Sequence, residues 1–201
     1  MEIIIKKLSP ELAEDYACFF DATPHNDTWG HKCYCVSWRS DDSYLGDDHW
    51  YPTPEERRAK AIQFIQEGKL QGYLAYHGDK IVGWCNATAD CRLGVKQMNS
   101  WGWQTKEYLE GIRVKSIFCF VISPDVQRKG VATQLVERVC RDAADDGFDF
   151  VEAYTDDKFI DDGYRGPLAM YEKCGFIKYA EKEGRVVMRK ALKQKREGEQ
   201  S

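Results

Sequence analysis

Two hydrophobic rhythms alternate along the chain: short runs of consecutive apolar residues, and longer stretches in which apolar positions recur every three or four residues. The most continuous run, Ile117-Phe118-Cys119-Phe120-Val121-Ile122, is apolar on both faces and reads as a central buried strand. After a break at Ser123-Pro124-Asp125, the residues Val131, Leu135, Val139 and Ala143, flanked by Val136 and Cys140, repeat at helical spacing until Asp146-Gly147 ends the helix. Strand, tight turn and helix succeed one another directly here.

The rest of the pattern extends the same arrangement. Ile3 to Leu8 predicts a first strand, and Ser9-Pro10 opens a helix through Phe20, with Ser9 as its cap and Pro10 at the first helical position. Thr53-Pro54-Glu55-Glu56 predicts another helix start, because Thr53 can accept from backbone N–H groups while Glu56 bonds back in a capping box; this helix reaches Glu67-Gly68. Tyr73 to His77, the turn Gly78-Asp79-Lys80, and Ile81 to Cys85 carry a hairpin signature, and further strands are expected over Arg113 to Ile122 and Phe148 to Tyr154. Residues 21–51 are loop-like and rich in aromatics, His and Gly. The succession indicates an α/β layer arrangement.

The turn before the central helix, Gln127-Arg128-Lys129-Gly130-Val131-Ala132-Thr133, is suited to an anion. The first N–H groups of a helix lack internal partners and carry partial positive charge, and the small residues Gly130 and Ala132 let a phosphate approach them. Tight packing of helix on strand is the alternative reason for one glycine and one alanine at this place. No Gly-Lys-Ser/Thr follows, which excludes a Walker loop, and only one of the three glycines of a dinucleotide fingerprint is present.

The pattern Gln127-x-x-Gly130-x-Ala132 resembles the acetyl-CoA pyrophosphate loop of the GNAT superfamily of N-acetyltransferases, and a second match lies downstream. Pro167-Leu168-Ala169-Met170-Tyr171-Glu172-Lys173-Cys174-Gly175-Phe176, with Ile177-Lys178-Tyr179 and Val186-Val187-Met188 after it, resembles that family's ending: a short helix carrying a tyrosine, then Gly-Phe and two final strands. The element order is similar to the family's from the first strand to Leu192. The resemblance implies a GNAT-like (acyl-CoA N-acyltransferase) fold of the α/β class, a mixed central sheet flanked by helices. It implies transfer of an acetyl group from acetyl-CoA to a primary amine of a small molecule or peptide by direct attack. Carried over by position, Phe120, Val121 and Ile122 would lie along the pantetheine, where neighbouring strands splay and leave backbone groups unpaired. The Ile122 N–H would stabilise the developing oxyanion. Gln127, Arg128, Lys129, Gly130, Val131, Ala132 and Thr133 would hold the pyrophosphate.

In the same resemblance Tyr171 would protonate the departing thiolate. A phenol suits that task because its ordinary pKa, near ~10, exceeds that of a thiol and keeps it protonated at neutral pH; packing of helix on sheet is its other reading. One departure stands out. Many relatives carry an Asn seven residues before this tyrosine that helps hold the cofactor, where this chain has Tyr164, within Asp161-Asp162-Gly163-Tyr164-Arg165-Gly166. Arg165 is read either as a CoA-phosphate ligand or as an exposed loop arginine.

A general base is also needed, because an alkylamine is mostly ammonium at neutral pH. Glu152, alone among apolar neighbours in its strand, and Glu110, just before the central strand, are the candidates; each is equally readable as a solvated or salt-bridged carboxylate. Acceptor selectivity is expected in two aromatic inserts, Trp29 to Trp50 with Tyr34 and Trp38, and Asn99 to Trp103 with Trp101 and Trp103, although loop aromatics also serve as anchors. Asp156, Asp157, Asp161 and Asp162 form an acidic insert without calcium-loop spacing, read as a solvated turn.

Composition narrows the function classes only a little. A chain of 201 residues without a Pro/Ser/Gly-rich linker is expected to form one domain over residues 1–192, followed by a frayed polar tail over 193–201. The net charge of −4 disfavours nucleic acid as a partner and mildly favours a cationic acceptor such as an amine. The opening Met1-Glu2-Ile3-Ile4-Ile5-Lys6 is strand-like and no apolar run approaches spanning length, so a cytoplasmic protein without membrane association is expected; the assembly state, a homodimer included, is open. Of eight cysteines, Cys18, Cys85, Cys91, Cys119, Cys140 and Cys174 read as small packing residues. Cys33-Tyr34-Cys35, near His25 and His31, is the one cluster that a zinc or thiol sensor could use, but its spacing fits a structural zinc site poorly and no metal is expected. A non-catalytic acyl-CoA-binding module is the other rival to an enzyme.

Overall fold

In the computed structural model, the described residues are 1–24, 32–38, 51–89, 111–156 and 163–192. His25, Trp29, His31, Trp50, Cys91, Trp101, Trp103, Glu110, Asp157, Asp161, Asp162 and the polar tail lie outside them, and with them the expectations placed there. Among the described residues seven strands make one sheet: β1 (Ile4–Lys7), β2 (Gly72–His77), β3 (Lys80–Thr88), β4 (Val114–Ile122), β5 (Phe150–Asp156), β6 (Ile177–Lys182) and β7 (Arg185–Ala191), in the order β1-β2-β3-β4-β5-β7-β6. Of their neighbouring pairs, only β4 and β5 run parallel. That pair needs a crossover, and the long amphipathic helix supplies it.

Helices α1 (Ala13–Ala22) and α2 (Pro54–Gln66) pack on one face, with Phe20, Phe64 and Ile65 against Leu74, Trp84 and Val121. Helices α3 (Val131–Asp145) and α4 (Leu168–Lys173) cover the other, where Leu135, Val139 and Tyr171 meet Ala75, Phe120 and Val186. The capping box at Thr53 forms as its residues require: Thr53 Oγ1 accepts from the Glu56 N–H and Glu56 accepts from the Thr53 N–H, each at 3.1 Å. Ser9 does not cap a helix as expected. A 3₁₀ turn over Pro10–Leu12 intervenes before α1, and the Ser9 side chain makes no capping bond. Cys18, expected in the packing, is exposed on α1, whereas Cys85, Cys119, Cys140 and Cys174 are buried.

The pairing of β4 with β3 is irregular at one point. Asn86 of β3 is level with Cys119, but the next residue, Ala87, is level with Ile117, so Phe118 is an extra residue. Such a bulge breaks the alternation of side chains between faces. Ile117 and Phe120 point to the α3 side, while Phe118 and Cys119 both point to the α1/α2 side.

At the start of β4, Lys115 is buried on the α3 side, and burial, with Lys7 adding to it, pushes its amine down to about 8. Because the folded pKa lies below the unfolded one, the charged lysine opposes folding fully below about pH 8, and this cost fades as pH rises towards ~10.4. Lys115→Met should therefore stabilise the fold by about 2 kcal/mol at pH 7 and by much less at pH 10. Urea denaturation of both proteins at the two pH values measures this; a gain independent of pH would show that packing, not charge, was responsible.

Candidate active site

The parallel pairing of β4 with β5 runs only from Val114 beside Phe150 to Ile117 beside Ala153, yet both strands continue, to Ile122 and to Asp156. Beyond the bulge the two strands are therefore no longer paired. Which backbone groups face the resulting gap is set by antiparallel alternation. The Ser123 N–H donates to the Val82 carbonyl at 2.9 Å, so Ser123 and Val82 are a hydrogen-bonded pair, as are Val121 and Trp84 two residues on. Phe120 and Ile122 must then turn their N–H groups away from β3, towards β5.

This corrects two expectations. Val121 cannot offer backbone groups to a ligand in the gap, because its own face β3. Nor is Phe120 open: its N–H donates to the Tyr164 carbonyl at 2.6 Å, so the chain's own loop extends the ladder there. The Ile122 N–H faces the gap, and the Ile122 carbonyl accepts from Gln127 Nε2 at 3.2 Å.

The gap leads to the N-terminus of α3. The first backbone bond of the helix is Gln134 N–H to the Gly130 carbonyl, at 3.1 Å, so the N–H groups of Val131, Ala132 and Thr133 have no acceptor one turn back. No side chain caps this end, and no acidic residue lies in its first turn. Gly130 stands at φ +84°, the left-handed region that glycine enters at little cost, and a Cβ built there would meet nothing within 4 Å. Arg128 also has positive φ, at 60°. Gln127, Arg128 and Lys129 are exposed around the turn, with Lys129 Nζ donating to the Asp125 carbonyl at 2.8 Å. Behind it Val131 is buried against β3 at Gly83, where an added Cβ would come within 3.1 Å of it. The close approach of helix to strand is made at Val131 and Gly83, so tight packing is not the reason for Gly130, whose surroundings are open.

Tyr171 of α4 reaches the same region from below. It is wholly buried, packs edge-on against Phe176 with centroids 5.4 Å apart, and donates from its hydroxyl to the Arg165 carbonyl at 2.7 Å. Burial raises its phenol well above the ordinary value. The adjoining residue Gly166 receives Thr155 Oγ1 at its carbonyl, at 2.7 Å, which pins the loop to β5. Arg165 is not the exposed arginine of one sequence reading. It is buried, its Nε donates to the Tyr164 hydroxyl at 3.0 Å, and its guanidinium lies 5.9 Å from the Trp38 ring centroid.

The opposite wall is aromatic. Trp38 stacks on Phe118 at 4.8 Å and 5°, and Phe118 stacks on Tyr154 at 5.0 Å and 19°. Phe118 can stand in this ladder because the bulge turns it to the α1/α2 side. Beside it Glu152 is fully buried, held by Arg189 at 2.5 Å and by the Tyr154 hydroxyl at 2.9 Å. Tyr154 has one proton and donates it to Glu152, so Ser116, whose hydroxyl lies 3.2 Å from the Tyr154 oxygen, must donate to Tyr154. Glu152 is level with Ser116, four residues before Phe120 on β4. At ~3.3 Å per residue that is roughly 13 Å along the strand. Ile122 lies two residues further still, so this carboxylate is not placed for proton abstraction there.

Sequence reasoning missed the residues that fix this wall. Arg57 of α2 is buried and ties both ends of the first insert, through Nε to the Lys32 carbonyl and Nη1 to the Tyr51 carbonyl, each at 2.6 Å. Asn86 Nδ2 donates to the Trp38 carbonyl at 3.0 Å. Tyr34, expected in the acceptor pocket, is instead an anchor: it is buried, stacks on Phe20, and donates to Asp21 Oδ1 at 2.6 Å. The signals were weak ones, one of two adjacent arginines in a polar helix and a lone amide in an apolar strand.

The model of the acetyltransferase (GNAT) family matches residues 11–176. The chain belongs to the GNAT family of acetyltransferases. It is thus an acyltransferase enzyme of a family whose co-substrate is acetyl-CoA. The seven-stranded mixed sheet with flanking helices is the family's fold. Solved structures share it at low identity. A GNAT-family acetyltransferase from Streptococcus pneumoniae is 19% identical, over 96% of this chain and 100% of that one, with a TM-score of 0.52. The ribosomal-protein-S18-alanine N-acetyltransferase from Escherichia coli is 13% identical, over 98% of each chain, at 0.51. A polyamine N-acetyltransferase from Drosophila melanogaster, which forms N-acetylagmatine, is 9% identical, over 95% and 100%, at 0.56. No curated protein matches the sequence.

The residues present fit the family's co-substrate. The open α3 terminus, with free space above Gly130, suits a pyrophosphate, and the gap beyond Ile117 offers the Ile122 N–H to an extended ligand. Among the described residues no group of three or more His, Cys, Asp or Glu could hold a metal ion, and no helix is long and apolar enough to cross a membrane.

Proposed function

We propose that this GNAT enzyme transfers the acetyl group of acetyl-CoA to a primary amine by direct attack, with the amine entering beside Trp38, the partly exposed end of the stack it forms with the buried Phe118 and Tyr154. The observation that carries this reading is the stretch beyond Ile117 where β4 and β5 no longer pair with each other, which leaves the Ile122 N–H turned away from β3. Acetyl-CoA supplies the activated thioester. Val131, Ala132 and Thr133, with Gln127, Arg128, Lys129 and Gly130 around them, hold its pyrophosphate through N–H groups and positive charge. The Ile122 N–H stabilises negative charge on the thioester oxygen. Tyr171 turns its hydroxyl from the Arg165 carbonyl to the leaving sulfur and donates the proton. The ion pair with Arg189 and the buried hydrogen bond from Tyr154 give Glu152 a structural role, so it is not proposed as the base. Solved proteins of this fold include a ribosomal-protein-S18-alanine N-acetyltransferase and a polyamine N-acetyltransferase, which supports an amine acceptor.

The direct test is thiol release from acetyl-CoA with a panel of amines, amino acids, polyamines and peptides. Turnover with at least one amine, together with its acetylated product by mass spectrometry, is expected; tight acetyl-CoA binding with no product across the panel would favour a binding module. A narrower test concerns the wall. Trp38→Ala should raise the acceptor KM about tenfold and leave the acetyl-CoA Kd unchanged, since it removes a stacked ring on the acceptor side only. An equal loss of acetyl-CoA affinity would show that Trp38 supports the whole cleft.

A further inference from the structure

The Cys33-to-Trp38 segment has a second property, independent of catalysis. Tyr34 and Cys35 both have positive φ, 46° and 48°, a conformation uncommon for residues other than glycine. Packing holds them there: the Tyr16 hydroxyl donates to the Tyr34 carbonyl at 2.9 Å, and the Val36 N–H to the Cys33 carbonyl at 3.3 Å. The result turns the Cys35 thiol inward, where its Sγ lies 3.4 Å from Cys119 Sγ and accepts from Trp84 Nε1 at 3.3 Å. Cys119 faces this side in phase with Val121, level with Asn86 of β3, and the extra residue of the bulge is its neighbour Phe118. Both thiols are reduced and buried, whereas Cys33 is partly exposed and Cys18 exposed. Burial also holds the Cys35 thiol well above its ordinary range, so Cys35 is no constitutive nucleophile.

We infer that Cys35 and Cys119 form an oxidation site whose product is a disulfide that fastens the Cys33-to-Trp38 turn to β4. A peroxide closes the chemistry. One sulfur attacks a peroxide oxygen, breaking the O–O bond, releasing water and leaving a sulfenic acid; the second sulfur then attacks the first, the S–S bond forms, and a second water departs. Two thiols lose two electrons and two protons, and hydrogen peroxide gains them. Because access needs the turn to open, the reaction is slower than oxidation of exposed Cys18. If Trp38 lines the acceptor wall as proposed, the bridge also holds it against Phe118.

The test treats the full chain with hydrogen peroxide, unfolds it, alkylates the remaining thiols and maps the digest by non-reducing mass spectrometry. A Cys35–Cys119 cross-linked peptide is expected, reversible by dithiothreitol, lost in both Cys35→Ser and Cys119→Ser, and retained in Cys33→Ser. A bridge through Cys33, or full alkylation of Cys35 and Cys119 after exposure carried well past complete oxidation of Cys18, to times at which the turn has opened, overturns the inference. The wild-type digest decides this even if a serine variant fails to fold. It also decides it without any activity, so failure of the acetyl-transfer reading is separately visible in the amine panel.

Discussion

Tyr171→Phe should lower kcat on the order of 10²-fold while leaving the Kd for acetyl-CoA within about twofold of the wild type. The ring is retained, and with it the contact with Phe176. What is lost is a proton that burial holds firmly on the phenol. The substitution also removes the donor to the buried Arg165 carbonyl, so stability should fall by about 1–2 kcal/mol. Turnover must therefore be measured well below the variant's Tm. Wild-type activity should show no loss from ionisation of this group up to about pH 10, because its folded pKa lies above the ordinary phenol value. Near-normal kcat in the variant, under conditions where chemistry limits the rate, would leave Tyr171 as a packing residue that closes the loop at Arg165.

Gly130→Glu should weaken acetyl-CoA binding at least tenfold, about 1.4 kcal/mol. Two effects are superposed in that variant, and a second substitution separates them. Gly130→Ala brings only the cost of a Cβ at φ +84°, of order 1 kcal/mol in stability, since nothing lies within 4 Å of it. Glutamate adds a negative charge in front of the Val131, Ala132 and Thr133 N–H groups, where the α3 terminus carries positive potential. Calorimetry should show Ala close to wild type in affinity and Glu far weaker, with the gap shrinking as salt rises. Equal affinities for Glu and wild type, with the fold intact, would remove the pyrophosphate from this turn.

The two motifs legible in the sequence are both local. A glycine before an apolar helix repeat, and a tyrosine four residues before Gly-Phe, each describe a few neighbouring positions whose conformation their own side chains dictate. For that reason α3 begins at Val131 beside Gly130, and α4 carries Tyr171, as the pattern indicates. The capping box at Thr53 belongs to the same class. Tyr34 and Arg165 differ from their sequence readings because a loop aromatic and a loop arginine have no local rule; their burial depends on α1, Trp38 and Tyr164, which are distant in sequence or irregular in conformation.

The sequence by itself determined most of the elements, the family and the turn that opens α3, since hydrophobic period, capping residues and a left-handed glycine act within one or two turns of chain. The tertiary structure decided the rest. The gap beside Ile122 arises because β4 and β5 pair only as far as Ile117, a matter of register between strands with α3 between them. Cys119, on the α1/α2 face, meets Cys35 across 84 positions of chain. Tyr164 closes the Phe120 N–H with a carbonyl, a group every residue has and no side chain advertises. Contacts made by backbone, or between residues far apart, leave no periodic trace in the order of amino acids; only the folded chain shows them.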